Sequence, residues 1–174
     1  MSETRSLLLS SAMRYGFSLG VFWVVKYLFF ILGTSNSFFS IIYWGMSLAV
    51  PFVAYTLTKQ YRADIGGHIG FLHAWQFGVL IYFFAALIVS LLHYVFYRYI
   101  ADPSLLSNTL MQTQMLLKEM KANDEVLKAV NEMQLTPIHM AIQGIFNNVF
   151  YGIVLSIPVA ALVCRNNATG RIGN

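Results

Sequence analysis

Lys26, His93 and Arg98 are the side chains whose chemistry and position call for explanation first. Lys26 stands alone in the apolar run YGFSLGVFWVVKYLFFILG, and an ammonium near the middle of a bilayer costs about 2.5 to 3.5 kcal/mol on insertion scales. Its long stem can lift the charge to an interface, let it pair inside a bundle, or hold an anionic headgroup. Arg98 lies among Tyr94, Tyr97 and Tyr99, and its planar fork suits a phosphate. Together with His93 these residues make a candidate lipid-phosphate site toward one end of the first and third apolar runs. The same residues would otherwise serve as a girdle of interfacial anchors.

Other reactive groups form no constellation. His68 and His73 are five residues apart, whereas two ligands on one helix face need a spacing of three or four. Cys164 is the single cysteine, so a disulfide within the chain and a cysteine-based zinc site are excluded. No glycine-rich phosphate loop, no Ser/His/Asp spacing and no carboxylate pair within an apolar run is present. We therefore expect no catalytic residue, no metal and no cofactor. The spans expected below contain no Asp or Glu, which argues against a proton-coupled carrier.

The elements that must position these groups are set by composition. Of 174 residues, 57% are apolar and 10% charged, against roughly 25% charged in an average soluble domain. Lipid is the solvent that such a chain requires. Its eleven basic residues are scattered along membrane flanks, which disfavours nucleic-acid binding. About 20 apolar residues in a helix cross a hydrocarbon layer of roughly 30 Å. Spans are expected at about 13–32, 38–58, 70–98 and 138–164, with bends at Pro51 and Pro158. The turn 34–37 (TSNS) joins the first two, and a loop from Lys59 through Gly66-Gly67 leads to the third. The 165–174 tail is polar and expected to be disordered.

Between the third and fourth spans the pattern changes. Asp102-Pro103 is a helix-start signal, and an amphipathic, extramembrane helical segment is expected over 103–135. Leu106, Leu110, Leu117, Met120, Leu127 and Val130 form its apolar stripe. Asn123-Asp124 is a weak point where one helix would become two. Leu110, Leu117, Met120 and Leu127 are candidates for docking a partner, because Leu and Met make adaptable contacts. The fold class expected is an all-α membrane protein of four transmembrane helices plus this segment, in a single membrane domain.

Small residues recur at four-residue spacing in the fourth span: Gly144, Asn148, Gly152, Ser156 and Ala160. Gly16 and Gly20 form a matching pair in the first. Such ridges let backbones approach in lipid, where packing drives helix association. They serve the chain's own bundle or a subunit interface. His139, Gln143, Asn147 and Asn148 add polarity to the start of the fourth span and are expected to form hydrogen bonds between helices or line a polar cavity.

Four spans put both termini on one side, flanked by Arg5, Arg14, Lys59, Arg62, Arg165 and Arg171. The first opposite loop has no basic residue; the second has Arg98 and three lysines, and those lysines lie far from the span ends and beside acids. Both termini are thus expected in the cytoplasm.

The run from Tyr61 to Leu106, with Gly66-Gly67, Ile69-Gly70-Phe71, an aromatic third span and the exit Tyr97-Arg98-Tyr99-Ile100-Ala101-Asp102-Pro103, resembles the domain of unknown function 4199 family. That resemblance implies a small four-span protein of the Gram-negative inner membrane, in a setting near polyprenyl-phosphate glycosyltransferases. It carries no catalytic residues. The expected function is a non-catalytic subunit or accessory protein of an inner-membrane assembly, with a membrane-protein partner or a second copy as its contact. The alternative is a lipid-handling protein that binds or helps to translocate a polyprenyl-phosphate-linked lipid, possibly alongside a glycosyltransferase.

Overall fold

The computed structural model describes residues 2–102 and 104–169, with side chains described over 6–102 and 104–165. Arg171, the Arg5 side chain and the tail expected beyond 169 lie outside the described residues. Six α-helices follow one another: α1 (Ser2–Gly33), α2 (Ser37–Asp64), α3 (Phe71–Val95), α4 (Ser104–Glu119), α5 (Asp124–Glu132) and α6 (Pro137–Thr169). A single π-helical turn, Phe96–Ile100, extends α3. Four helices are long and apolar enough to cross a membrane: Ser6–Gly33, Ser37–Asp64, Phe71–Ile100 and Pro137–Arg165. The protein is all-α, with no strand among the described residues.

Helix ends fall where local chemistry ends them. Asn36 accepts the Phe38 N–H at 3.0 Å and starts α2. That helix continues past the loop expected from Lys59 because its first true breakers are Gly66 and Gly67, at φ of 96° and 85°. The helix α1 takes in the polar lead ahead of the span expected at 13–32, with no breaker between them. Pro51 and Pro158 lie inside uninterrupted helices. The tail expected to be disordered from Arg165 is instead helical to Thr169, and the next residue is the first glycine after Gly152.

The chain divides into two compact units, Met1–Val89 with Ile145–Asn174, and Ser90–Gly144. In the first, α1 and α3 run parallel. A Cβ at Gly16 would stand 2.6 Å from that of Phe84, and one at Gly20 would stand 2.6 Å from Ile88 Cδ1. The fourth-span ridge packs on α3 in the opposite direction, Gly152 against Tyr82 and Ser156 against Gly78, with Ala160 fully buried. The buried stripe of α1 is Ala12, Tyr15, Leu19, Trp23 and Tyr27, while Met13, Phe17, Val21, Val25 and Leu28 face outward. Both stripes are apolar. They differ in size and in polar handles, as expected where lipid covers the outside.

In the second unit the amphipathic segment is a broken pair. Lys121 takes φ of 52°, and the Ala122 and Lys121 N–H groups donate to Leu117 and Lys118 carbonyls at 3.0 Å each, closing α4 in a Schellman turn. Asn123 then caps α5 by accepting the Val126 N–H at 2.9 Å. At the start of α4, Asp102 accepts the Ser104 N–H at 2.7 Å. Hydrogen bonding from Ser104 lowers the pKa of this carboxyl, so its contribution holds at neutral pH and is lost as pH falls through the lowered value.

Two expected outcomes follow from this packing. Gly152→Ala must push α6 away from Tyr82 and lower stability in detergent by about 1 to 3 kcal/mol, whereas Gly45→Ala, with open space at its Cβ, changes it by less than about 1 kcal/mol or raises it. Thermal unfolding of the two variants side by side checks the contrast. In the turn, Lys121→Gly should slow amide exchange in α4 and α5 by relieving about 1 kcal/mol of left-handed strain, while Asn123→Ala should speed it by a similar factor.

Candidate functional site

The first unit is built around Phe77, a fully buried ring of α3. Tyr61 of α2 stacks on it with ring centroids 3.9 Å apart, and Tyr15 of α1 meets its edge at 5.8 Å. The two hydroxyls thereby reach different partners. Tyr15 donates to Asp64 Oδ2 at 2.6 Å, and Tyr61 is hydrogen bonded to His73 Nε2 at 2.8 Å. Arg14 also donates to Asp64 Oδ2 at 2.6 Å and lies over the Tyr15 ring. One carboxylate oxygen thus ties the start of α1 to the end of α2.

These groups border an open cleft of 990 Å³, lined by Ser10, Ser11, Arg14, Tyr61, Asp64, His68 and His73 together with Leu7 and Ile65. Nearby, Arg62 donates to the Val163 carbonyl at 2.8 Å and Cys164 to the Ile69 carbonyl at 3.4 Å, so the end of α6 is fastened at the same place. The beginning of α1 and the end of α6 therefore share one end of this unit. Among the described residues no group of three His, Cys, Asp or Glu is placed to hold a metal.

The sequence pointed elsewhere. Lys26 is half-buried in the first unit, with Nζ 5.2 Å from the Tyr43 ring centre and 5.9 Å from that of Trp23. Its charge is held by aromatic faces of α1 and α2. His93 and Arg98 belong to the second unit. His93 packs against Gly144, whose Cβ would stand 2.6 Å from Nδ1, and Arg98 lies 5.5 Å from the centre of the Tyr99 ring. His139 does not bridge helices as expected. Its Nδ1 turns back to the Thr136 N–H at 3.2 Å and Oγ at 3.1 Å, where it caps α6. Gln143 and Asn147 are exposed and Asn148 is half-buried. Of the docking candidates, Leu110, Leu117 and Leu127 are half-buried and Met120 is 76% exposed.

Sequence reasoning missed the Arg14, Asp64 and Tyr15 cluster, treating Arg14 as an orientation signal and Asp64 as part of a loop. One signal was available. Asp64 is the only acidic residue between Glu3 and Asp102, and a lone carboxylate at the end of an apolar helix needs a cation.

Four apolar spanning helices without strands define a multi-pass helical membrane protein. The chain belongs to the family described as Protein of unknown function (DUF4199), whose model matches residues 14–165. No curated protein and no solved structure matches it.

Two buried tyrosines make opposite demands. Tyr82 is buried with a hydroxyl that has no hydrogen-bond partner among the described residues, whereas that of Tyr61 is paired. Tyr61→Phe should lower stability by about 0.5 to 1.5 kcal/mol, and Tyr82→Phe should leave it unchanged or raise it. Equilibrium unfolding in one detergent compares them directly.

Proposed function

We propose that this protein is a non-catalytic accessory subunit of a bacterial inner-membrane assembly, with both termini cytoplasmic and α4–α5 docking a membrane-protein partner on the opposite side. The observation that carries this reading is that α4 and α5 contain no fully buried residue, while Met111, Met115, Leu116 and Met120 are each more than half exposed. Helices of sixteen and nine residues draw little stability from propensity alone and depend on what they pack against. A lipid surface fits less well. The segment carries Lys118, Lys121 and Lys128 against Glu119, Asp124, Glu125 and Glu132, so anionic headgroups would not attract it. The small ridge of α6 is taken up by α3 of the same chain, which leaves the docking role to α4–α5. Sidedness is supported by Arg14, Lys59, Arg62 and Arg165 at one end, set against a 34–37 turn without a basic residue.

A photocrosslinking residue at Met115 or Met120 in cells should give a discrete, stoichiometric protein adduct that Met111→Glu abolishes. Placed at the outward-facing Leu48, the same probe should label lipid. If Met115 and Met120 also yield lipid adducts alone, the docking role is wrong.

A further inference from the structure

The cleft between α1, the end of α2 and the start of α3 has the chemistry of an anion receptor. At this end of the first unit the described side chains include four cations, Arg14, Lys59, Arg62 and Arg165, and one carboxylate, Asp64. That carboxylate is already committed, since a single oxygen accepts from both Arg14 and Tyr15 at 2.6 Å. Arg14 is not used up. The contacts to Asp64 and Tyr15 both run through Nη2, which leaves the N–H donors of Nε and Nη1, on separate sides of the guanidinium, in a side chain that is 68% exposed at the cleft. The hydroxyl of Ser11 and the ring of His68 line the same space. Guanidinium N–H donors, a hydroxyl and an imidazole, open to water at the end of apolar helices, offer contacts from three side chains, and a phosphate group has three strong acceptor oxygens to meet them.

We propose that this cleft binds a phosphate-bearing ligand through Arg14, with Ser11 and His68 as further contacts. The phosphate is carried either on a lipid headgroup, which the membrane boundary would deliver, or on a small soluble molecule. Asp64 has two effects in this arrangement. It orients the Arg14 fork, and it opposes the incoming anion with its own charge.

The test uses that opposition. The full-length protein in detergent is titrated with inorganic phosphate by calorimetry, and in nanodiscs it is assayed for retention of phosphatidic acid over phosphatidylcholine by native mass spectrometry. Arg14→Gln should weaken binding at least tenfold, and Asp64→Asn should strengthen it severalfold. Both substitutions break the same ion pair, so a merely structural role would move them in the same direction. His68→Gln, at an exposed position, should weaken binding without changing thermal stability, which keeps the proposal open to refutation if Arg14→Gln unfolds. Binding of phosphate alone identifies a soluble ligand, and retention of phosphatidic acid alone identifies a headgroup; either outcome supports the site. Binding of neither probe overturns it, as does a shift in the same direction for Arg14→Gln and Asp64→Asn.

Discussion

Close approach of helix backbones is what the first unit depends on, because in lipid the hydrophobic effect does not distinguish its inside from its outside. Val21 toward lipid and Leu19 in the interior are equally apolar. What selects the interior is how near two helices come, and Gly16, Gly20, Gly78 and Gly152 mark where a Cβ would collide with the neighbour. All four lie at contacts with α3. That helix receives α1 in parallel and α6 in the opposite direction, and through Phe77 it seats the tyrosines of α1 and α2. Dispersion gained at these contacts replaces the water-driven burial of a soluble core.

Polar chemistry is consequently pushed to the ends. The Arg14, Asp64 and Tyr15 cluster, the Tyr61 and His73 pair and the Arg62 contact to α6 all gather at one end of the first unit, where water can share the cost of charge. Alongside buried polar groups such as the Tyr82 hydroxyl and Ser156, Lys26 is the charged exception among the described residues. The aromatic rings of Tyr43 and Trp23 offer their negative faces to the ammonium without requiring a buried carboxylate. Among the described residues, the Lys26 amino group meets ring faces and no carboxylate.

Much of this was legible from residue order. The four spans and the change of pattern after Asp102 follow from hydropathy and local capping, both of which are short-range properties. So does the break at Asn123, although the left-handed Lys121 that closes α4 could not be foreseen, since nothing in that residue's type favours such a conformation. Helix ends were placed too far in because polarity was taken as the boundary. Lys59 to Asp64 is polar yet helical, and the glycines after it supply the actual stop. The faces were not legible. Tyr15 and Phe17 are both aromatic and two residues apart, and only contact with Phe77 separates the buried one from the exposed one. The Arg14 and Asp64 pair spans 50 residues, and no local pattern connects them.

The exit from the third span shows how two physically different parts of the chain are joined. Through Phe96–Ile100 the backbone widens to a π-turn, and the Ala101 N–H reaches the Phe96 carbonyl at 2.8 Å. The extra residue shifts the helical register. Phe96 stays buried while Arg98, Tyr99 and Ile100 are exposed, and Asp102 then caps the start of α4. Beyond this point the stabilising logic reverses. The spanning helices gain from close contact with one another, whereas α4 and α5 bury no side chain fully and are closed by a Schellman turn and an asparagine cap. A segment stabilised chiefly by its caps has a conformational equilibrium that a modest amount of additional contact can shift.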